Sequence, residues 1–288
     1  MARNNKRTTA NLGADTPEVS AAPVAQQSND QSFSWTNPTE FVDLPSEGLR
    51  YPQGHPLYNQ TSVEIRHMTA KEEDILTSEP LIRKGIVLDR LIDSVLVDKS
   101  IRSESLLIGD KNAILIAARV TGYGEDYDVA IDCPNCGAKS KETYLIPEIT
   151  RTTEASENIP WVEHNTFKII LPKTKVEVVC RLMTGKDEEN NRQRKKNIKK
   201  AGLGLGMGEL TSQMLSFIES LNGNTDKAFI KSFVQNMPAY DSRYLRRIYG
   251  SAVPNVELVT DFECSNCDHS TEMEVPLTAG FFWPDAKI

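Results

Sequence analysis

Two Cys-x-x-Cys pairs, Cys133-Pro134-Asn135-Cys136 and Cys264-Ser265-Asn266-Cys267, stand at an offset of 131 in this 288-residue chain. Each lies between two segments with strand-like patterning, which places it at the tip of a β-hairpin. A two-residue spacer lets both sulfurs of a pair address one centre, with backbone amides supporting them. Four thiolates from two such tips form a closed tetrahedral zinc site, and closure leaves no position for a catalytic water. Pro134 and Gly137 favour the tight turn this requires. A thioredoxin-like redox pair opens a helix after a strand, which neither pair does. The expectation is one structural Zn2+ held by Cys133, Cys136, Cys264 and Cys267, stapling two distant halves of the fold. His269 is an alternative ligand, with a surface hairpin histidine as the plainer reading. The fifth cysteine, Cys180, sits in an apolar strand pattern and reads as a small buried hydrophobe.

Composition narrows the function classes. Apolar residues make up 39% and charged residues 25%, which suits a globular body with some low-complexity sequence. A net charge of −7 speaks against nucleic-acid binding by bulk electrostatics. No apolar run approaches the roughly 18–20 residues needed to cross a bilayer. The basic start, Met1 to Arg7, is not followed by the apolar core of a secretion signal.

The chain reads as α+β. Residues 1–32 are rich in Ala, Asn, Ser, Thr, Gln and Pro and are expected to form a disordered arm. Residues 33–62 are expected as an extended arm on a surface, turning at Ser46-Glu47-Gly48. A strand follows at 63–67, then a capping box at Thr69-Ala70-Lys71-Glu72. Helices are expected at about 70–77, 80–97 and 110–121, the last capped by Asp110 and ended by Gly122. Strands at 127–132 and 142–146 flank the first cysteine pair. The order then recurs: strands at about 166–171 and 176–182, helices at about 185–200, 209–222, 226–236 and 241–249, and strands at 257–263 and 272–277 around the second pair. Met68-Thr69-Ala70-Lys71-Glu72-Glu73 has a counterpart in Met183-Thr184-Gly185-Lys186-Asp187-Glu188 at an offset of 115. Asp110 and Asp241, both expected as caps, share the cysteines' offset of 131. These markers predict two tandem repeats of strand, helices and zinc-knuckle hairpin, at 63–150 and 151–288, related by a pseudo-twofold axis through the metal. The second carries a basic and Gly-rich insert at about 190–208.

Three segments invite a binding role. The run Arg192-Gln193-Arg194-Lys195-Lys196 follows Asp187-Glu188-Glu189. It reads as a solvated helix whose cations suit its C-terminal end, as a contact for a protein partner, or as a phosphate contact. No aromatic residue interleaves with it to stack bases. Gly202 to Gly208 is Gly-rich but lacks the G-K-[ST] ending of a phosphate loop, and reads as a hinge or interface segment. Phe281, Phe282 and Trp283 either anchor the tail in the core or present aromatics to a partner. No Ser-His-Asp, H-E-x-x-H or paired-carboxylate arrangement stands out, and no catalytic residue is expected.

The segments Leu44-Pro45-Ser46-Glu47-Gly48-Leu49-Arg50-Tyr51-Pro52 and Met68 to Leu76, the cysteine turns and the ending Phe281-Phe282-Trp283-Pro284 together resemble the T4-type baseplate hub proteins of contractile-tailed bacteriophages, over roughly residues 38–285. The resemblance implies a non-enzymatic structural or assembly protein, found in the virion tail baseplate or in the host cytoplasm during assembly. Its partners would be other tail baseplate proteins, with no small-molecule substrate and no membrane. The competing class is a zinc-ribbon nucleic-acid-binding or transcription regulatory protein, motivated by the cysteine turns and the basic run.

Overall fold

The structure, a computed structural model, describes residues 37–200, 208–275 and 279–282. The arm expected over 1–32, most of the Gly-rich run and Trp283 lie outside the described residues. Val63 and Ile65 alternate with Ser62, Glu64 and Arg66, so β2 (Ser62–Arg66) buries one face. It pairs antiparallel with β1 (Thr39–Asp43), Val42 opposite Val63. Residues 39–62 therefore do not form the expected surface arm. They make a strand and an inward-packed loop whose Leu44, Tyr51 and Leu57 are core residues. Glu47 (φ 49°) and Gly48 (φ 69°) form the turn, and a Cβ on Gly48 would lie 2.4 Å from the Leu57 carbonyl oxygen and the Gln60 nitrogen.

Helices α1 (Ala70–Leu76), α2 (Glu79–Lys84) and α3 (Val87–Val95) follow. The capping box forms at Thr69 and Glu72. The single helix expected over 80–97 is two helices, because Gly85 takes a left-handed conformation (φ 71°) and closes α2. The side chain of Arg192 packs onto that glycine. Helix α4 (Ile108–Tyr123) runs through the core with Ile114, Leu115 and Ile116 buried, and ends at Gly124 rather than Gly122. Strands β3 (Asp126–Asp132) and β4 (Lys139–Leu145) make the first cysteine hairpin. A one-turn helix, α5 (Ile146–Ile149), leads into β5 (Thr150–Thr153). Its sequence, Thr-Arg-Thr-Thr, carries no apolar alternation, and pairing with a later strand creates it.

The second half opens on a sheet of β6 (Thr166–Ile170), β7 (Glu177–Arg181) and β8 (Ile218–Leu221), in the order 6-7-8. Helix α6 (Gly185–Lys200) follows β7, then α7 (Glu209–Phe217). The helix expected over 209–222 stops at Phe217, because Ile218 to Leu221 complete the edge of β7, a tertiary pairing that overrides helical patterning. Helices α8 (Lys227–Asn236) and α9 (Ala239–Ala252) lead to β9 (Asn255–Glu263) and β10 (Ser270–Val275), the second cysteine hairpin, with β5 on the other edge of β9. No helix among the described residues is long and apolar enough to cross a membrane.

The two aspartates expected as caps do something else. Asp110 and Asp241 sit inside the first turns of α4 and α9 and are fully buried. Asp110 accepts from the Ser46 amide (3.0 Å), the Ser46 hydroxyl (2.6 Å) and the Tyr51 hydroxyl (2.7 Å). Asp241 accepts from the amides of Lys173 (2.8 Å) and Thr174 (2.9 Å) and the Thr174 hydroxyl (2.8 Å). Each ties the loop between two strands to the start of a distant helix, satisfying amides that burial would otherwise orphan.

Candidate metal centre

The cysteine hairpins are built alike. Amide to carbonyl bonds close each turn: Gly137 to Cys133 and Asp268 to Cys264, both 2.9 Å, then Cys133 to Ala138 (2.8 Å) and Cys264 to His269 (2.9 Å). The residue after the second cysteine is left-handed in both, Gly137 at φ 70° and Asp268 at φ 53°. Aspartate is among the few non-glycine residues that adopt this conformation at modest cost. The hairpins pack on each other through Ile131, Cys133, Phe262 and Cys264, a cluster separate from the main core.

That packing gathers four sulfurs within 4.8 Å of one another. Cys133 Sγ lies 3.8 Å from Cys267 Sγ, and Cys136 Sγ lies 3.7 Å from Cys264 Sγ. All four thiols are free. A disulfide needs about 2.05 Å between sulfurs. A tetrahedron with zinc–sulfur bonds of about 2.3 Å has edges of about 3.8 Å. The spacing thus fits a metal ion with four sulfur ligands. Second-sphere support is reciprocal, for the Asn135 amide donates to Cys267 Sγ (3.5 Å) and the Asn266 amide to Cys136 Sγ (3.6 Å). These asparagines occupy the same place in each Cys-x-x-Cys, a signal present in the sequence and readable only once the hairpins meet.

The sulfurs differ in acidity. The Asn266 side-chain amide, then the Ala138 backbone amide and the neighbouring thiols, lower Cys136 to about 6. The backbone amides of Asn266 and Cys267 favour the Cys264 thiolate, but burial and the thiols of Cys133 and Cys267 push Cys264 up to about 11. Neighbouring sulfurs that compete in this way are relieved by a cation that neutralises them together. His269 supplies only its backbone carbonyl to the turn, and Cys180 is fully buried in β7, where desolvation raises its thiol well above the ordinary range.

The other expected contact residues are scattered. Arg192 is turned inward onto Asp89 (3.2 Å), and the Lys196 ammonium donates to the carbonyls of Arg83 (3.3 Å) and Lys84. Arg194 and Lys195 line a groove with Ile108, Met183 and Leu210. Phe281 and Phe282 are buried, and Arg119 Nε holds the Phe281 carbonyl (2.8 Å), so these two aromatics anchor the tail in the core. A Ser105–His55 contact (3.0 Å) has the outline of a nucleophile and base. The Leu57 amide donates to His55 Nδ1 (3.1 Å), so the ring proton sits on Nε2 and is given to Ser105. That nitrogen cannot take the serine's proton, and the pair serves the loop.

Residues 39–283 match the model of a family described as T4 bacteriophage base plate protein. The chain belongs to that family. No curated protein and no solved structure matches it. Membership in this family associates the chain with other phage structural proteins and with the virion tail. The four cysteines bring chain segments 131 positions apart to one place that could hold a metal ion.

Proposed function

We propose that this baseplate protein is a non-enzymatic structural or assembly component of the baseplate hub, built from a duplicated unit and stapled by one structural Zn2+. The observation that carries the reading is the family match over residues 39–283, together with a centre whose four thiolates would leave zinc no open position. Hub membership is favoured by the combination of the segment Leu44 to Pro52, the cysteine turns and the Phe281-Phe282 anchor.

The duplication is supported by contacts that recur at fixed offsets. Arg66 at the end of β2 pairs with Glu72 (2.6 Å), and Arg181 at the end of β7 pairs with Asp187 (2.6 Å). The Thr69 amide donates to Glu72 and the Thr184 amide to Asp187, both at 2.9 Å. All these pairs stand at an offset of 115. The buried aspartates, the four cysteines and the two asparagines stand at 131. Within this reading the repeats keep their extents near 63–150 and 151–288, the first gaining β1, with a pseudo-twofold axis through the metal. Of the cationic side chains of α6, Arg194 and Lys195 line a groove and are the ones offered to partners.

Mass spectrometry of purified virions and of tail intermediates from infected cells tests the role. A hub component is expected in both, and an assembly factor only in intermediates. Absence from both, with no tail protein retained by the purified chain, overturns the reading.

A further inference from the structure

Strand β9 buries Val256, Leu258, Thr260 and Phe262 and turns the alternate residues outward. Register places Glu272 opposite Asp261 and Glu274 opposite Val259, and directly opposed residues share a face. Glu257, Asp261, Glu263, Glu272 and Glu274 therefore crowd the outer face of the β5–β9–β10 sheet. The cation on that face is Arg151, opposite Glu257, and it is held by Glu272 (3.0 Å). Burial and the neighbouring Glu257 raise the Glu274 carboxyl above its ordinary range. Asp261, Glu263 and Glu274 make no ion pair among the described residues.

A second surface has the opposite sign. A groove of about 460 Å³ between α6, α7, β8 and α8 has Leu215, Ile218 and Ile230 among its lining, with Arg194, Lys227 and Lys231 beside them. Arg181 also reaches the groove, but both its terminal nitrogens bind Asp187 (2.6 Å each). The carboxylate in the groove is thus spent, and Arg194, Lys227 and Lys231 make no ion pair among the described residues. Lys227 and Lys231 are one helical turn apart and present one front.

We propose that copies of this chain associate head-to-tail, the acidic outer face of the β5–β9–β10 sheet of one copy seating against the cationic groove of α6 and α8 of the next. The occupant follows from charge complementarity, since one chain carries both halves of the contact and satisfies neither among its described residues. Different surfaces meet, so the contact is heterologous: it closes into a ring when the rotation permits and otherwise extends as an open chain. This deepens the reading as a structural baseplate protein and rests on it only for the biological setting.

The test is the mass of the purified full chain, metal retained, by sedimentation equilibrium over rising concentration. Low salt is compared with about 1 M salt, where the screening length falls to about 3 Å. The wild type is expected to associate at low salt and dissociate at high salt. Lys227→Glu with Lys231→Glu is expected to be monomeric, as is Asp261→Lys with Glu274→Lys. The variant carrying all four changes restores the complementarity and is expected to associate again. Metal content and melting temperature establish that each variant is folded. A wild type that stays monomeric at low salt to its solubility limit overturns the contact. So does association indifferent to salt, or a folded fourfold variant that stays monomeric. A monomer that binds other tail proteins through α8 overturns the second copy as occupant and leaves the baseplate role standing. An oligomer absent from tail particles does the reverse.

Discussion

Glu72 is a carboxylate with no exposed surface, in a helix's first turn, and its charge survives because four groups attend to it. Burial alone would raise its pKa. The hydroxyls of Ser94 (2.5 Å) and Thr69 (2.7 Å), the Thr69 amide (2.9 Å) and the Arg66 guanidinium (2.6 Å) hold it down to about 2. A folded-state pKa below the unfolded value gives stability that is complete above the unfolded value and is lost as pH falls. The window here runs from the ordinary 4.5 down to about 2. Urea unfolding across that window should lose about 2 kcal/mol that Glu72→Gln no longer loses, the full linkage being reduced by solvent at Arg66. Equal unfolding curves for the two proteins at every pH would refute the assignment. The buried aspartates offer a second comparison. Asp110→Ala and Asp241→Ala each remove three hydrogen bonds to a loop and should each cost about 3 kcal/mol in denaturant unfolding. If the halves are copies the two costs are close, and a near-zero cost at either site breaks the equivalence. The sequence marks both residues as helix-start aspartates. It does not reveal the amides they bind, which come from loops some 65 residues earlier (|i−j| 64 and 68).

At the scale of elements, what could be read in advance was local. The capping box at Thr69, the β2 alternation and both cysteine turns are fixed by neighbours in sequence, and they appear where expected. What failed was decided by distant partners. Ile218 to Leu221 leaves the helical pattern because β7 has an open edge, and Thr150 to Thr153 becomes a strand because β9 does. The helix expected over 80–97 breaks at Gly85, whose left-handed conformation closes α2. The cysteine turns carry their own prediction. Gly137→Ala puts a Cβ on a left-handed residue and should cost about 1 kcal/mol, whereas Asp268→Gly should be neutral or stabilising by a few tenths. Melting temperatures of the metal-loaded variants check both, and the opposite order would mean the turns are not equivalent. Cys133→Ser and Cys264→Ser should each empty the centre, lowering metal content from one ion per chain to none. One ion remaining after either change would mean two separate sites.

For the whole molecule, the centre and the core are distinct sources of stability. The main core runs from Val42 through α4 to Phe282, while the hairpins' own cluster holds four buried residues, two of them cysteines. Metal removal by a chelator should therefore raise amide exchange in β3–β4 and β9–β10 first, with α4, β6 and β7 still protected. Uniform loss of protection across the chain would show that the metal supports the entire fold. The centre was legible from spacing alone. The family came from dispersed motifs, and the acidic sheet face became visible only when register placed five carboxylates side by side.

The reciprocal asparagine bonds have a consequence for synthesis. Cys136 and Cys264 are 128 residues apart. At the usual pace of about 5–20 residues per second, the first pair waits roughly 6–25 s for the second to be made. The largest influence that makes Cys136 acidic is the amide of Asn266, which belongs to the later hairpin. Until that hairpin is made, Cys136 lacks this donor. The donor to Cys136 and the thiols that complete the cluster therefore arrive together, with the second hairpin, and neither hairpin assembles the four-sulfur cluster alone.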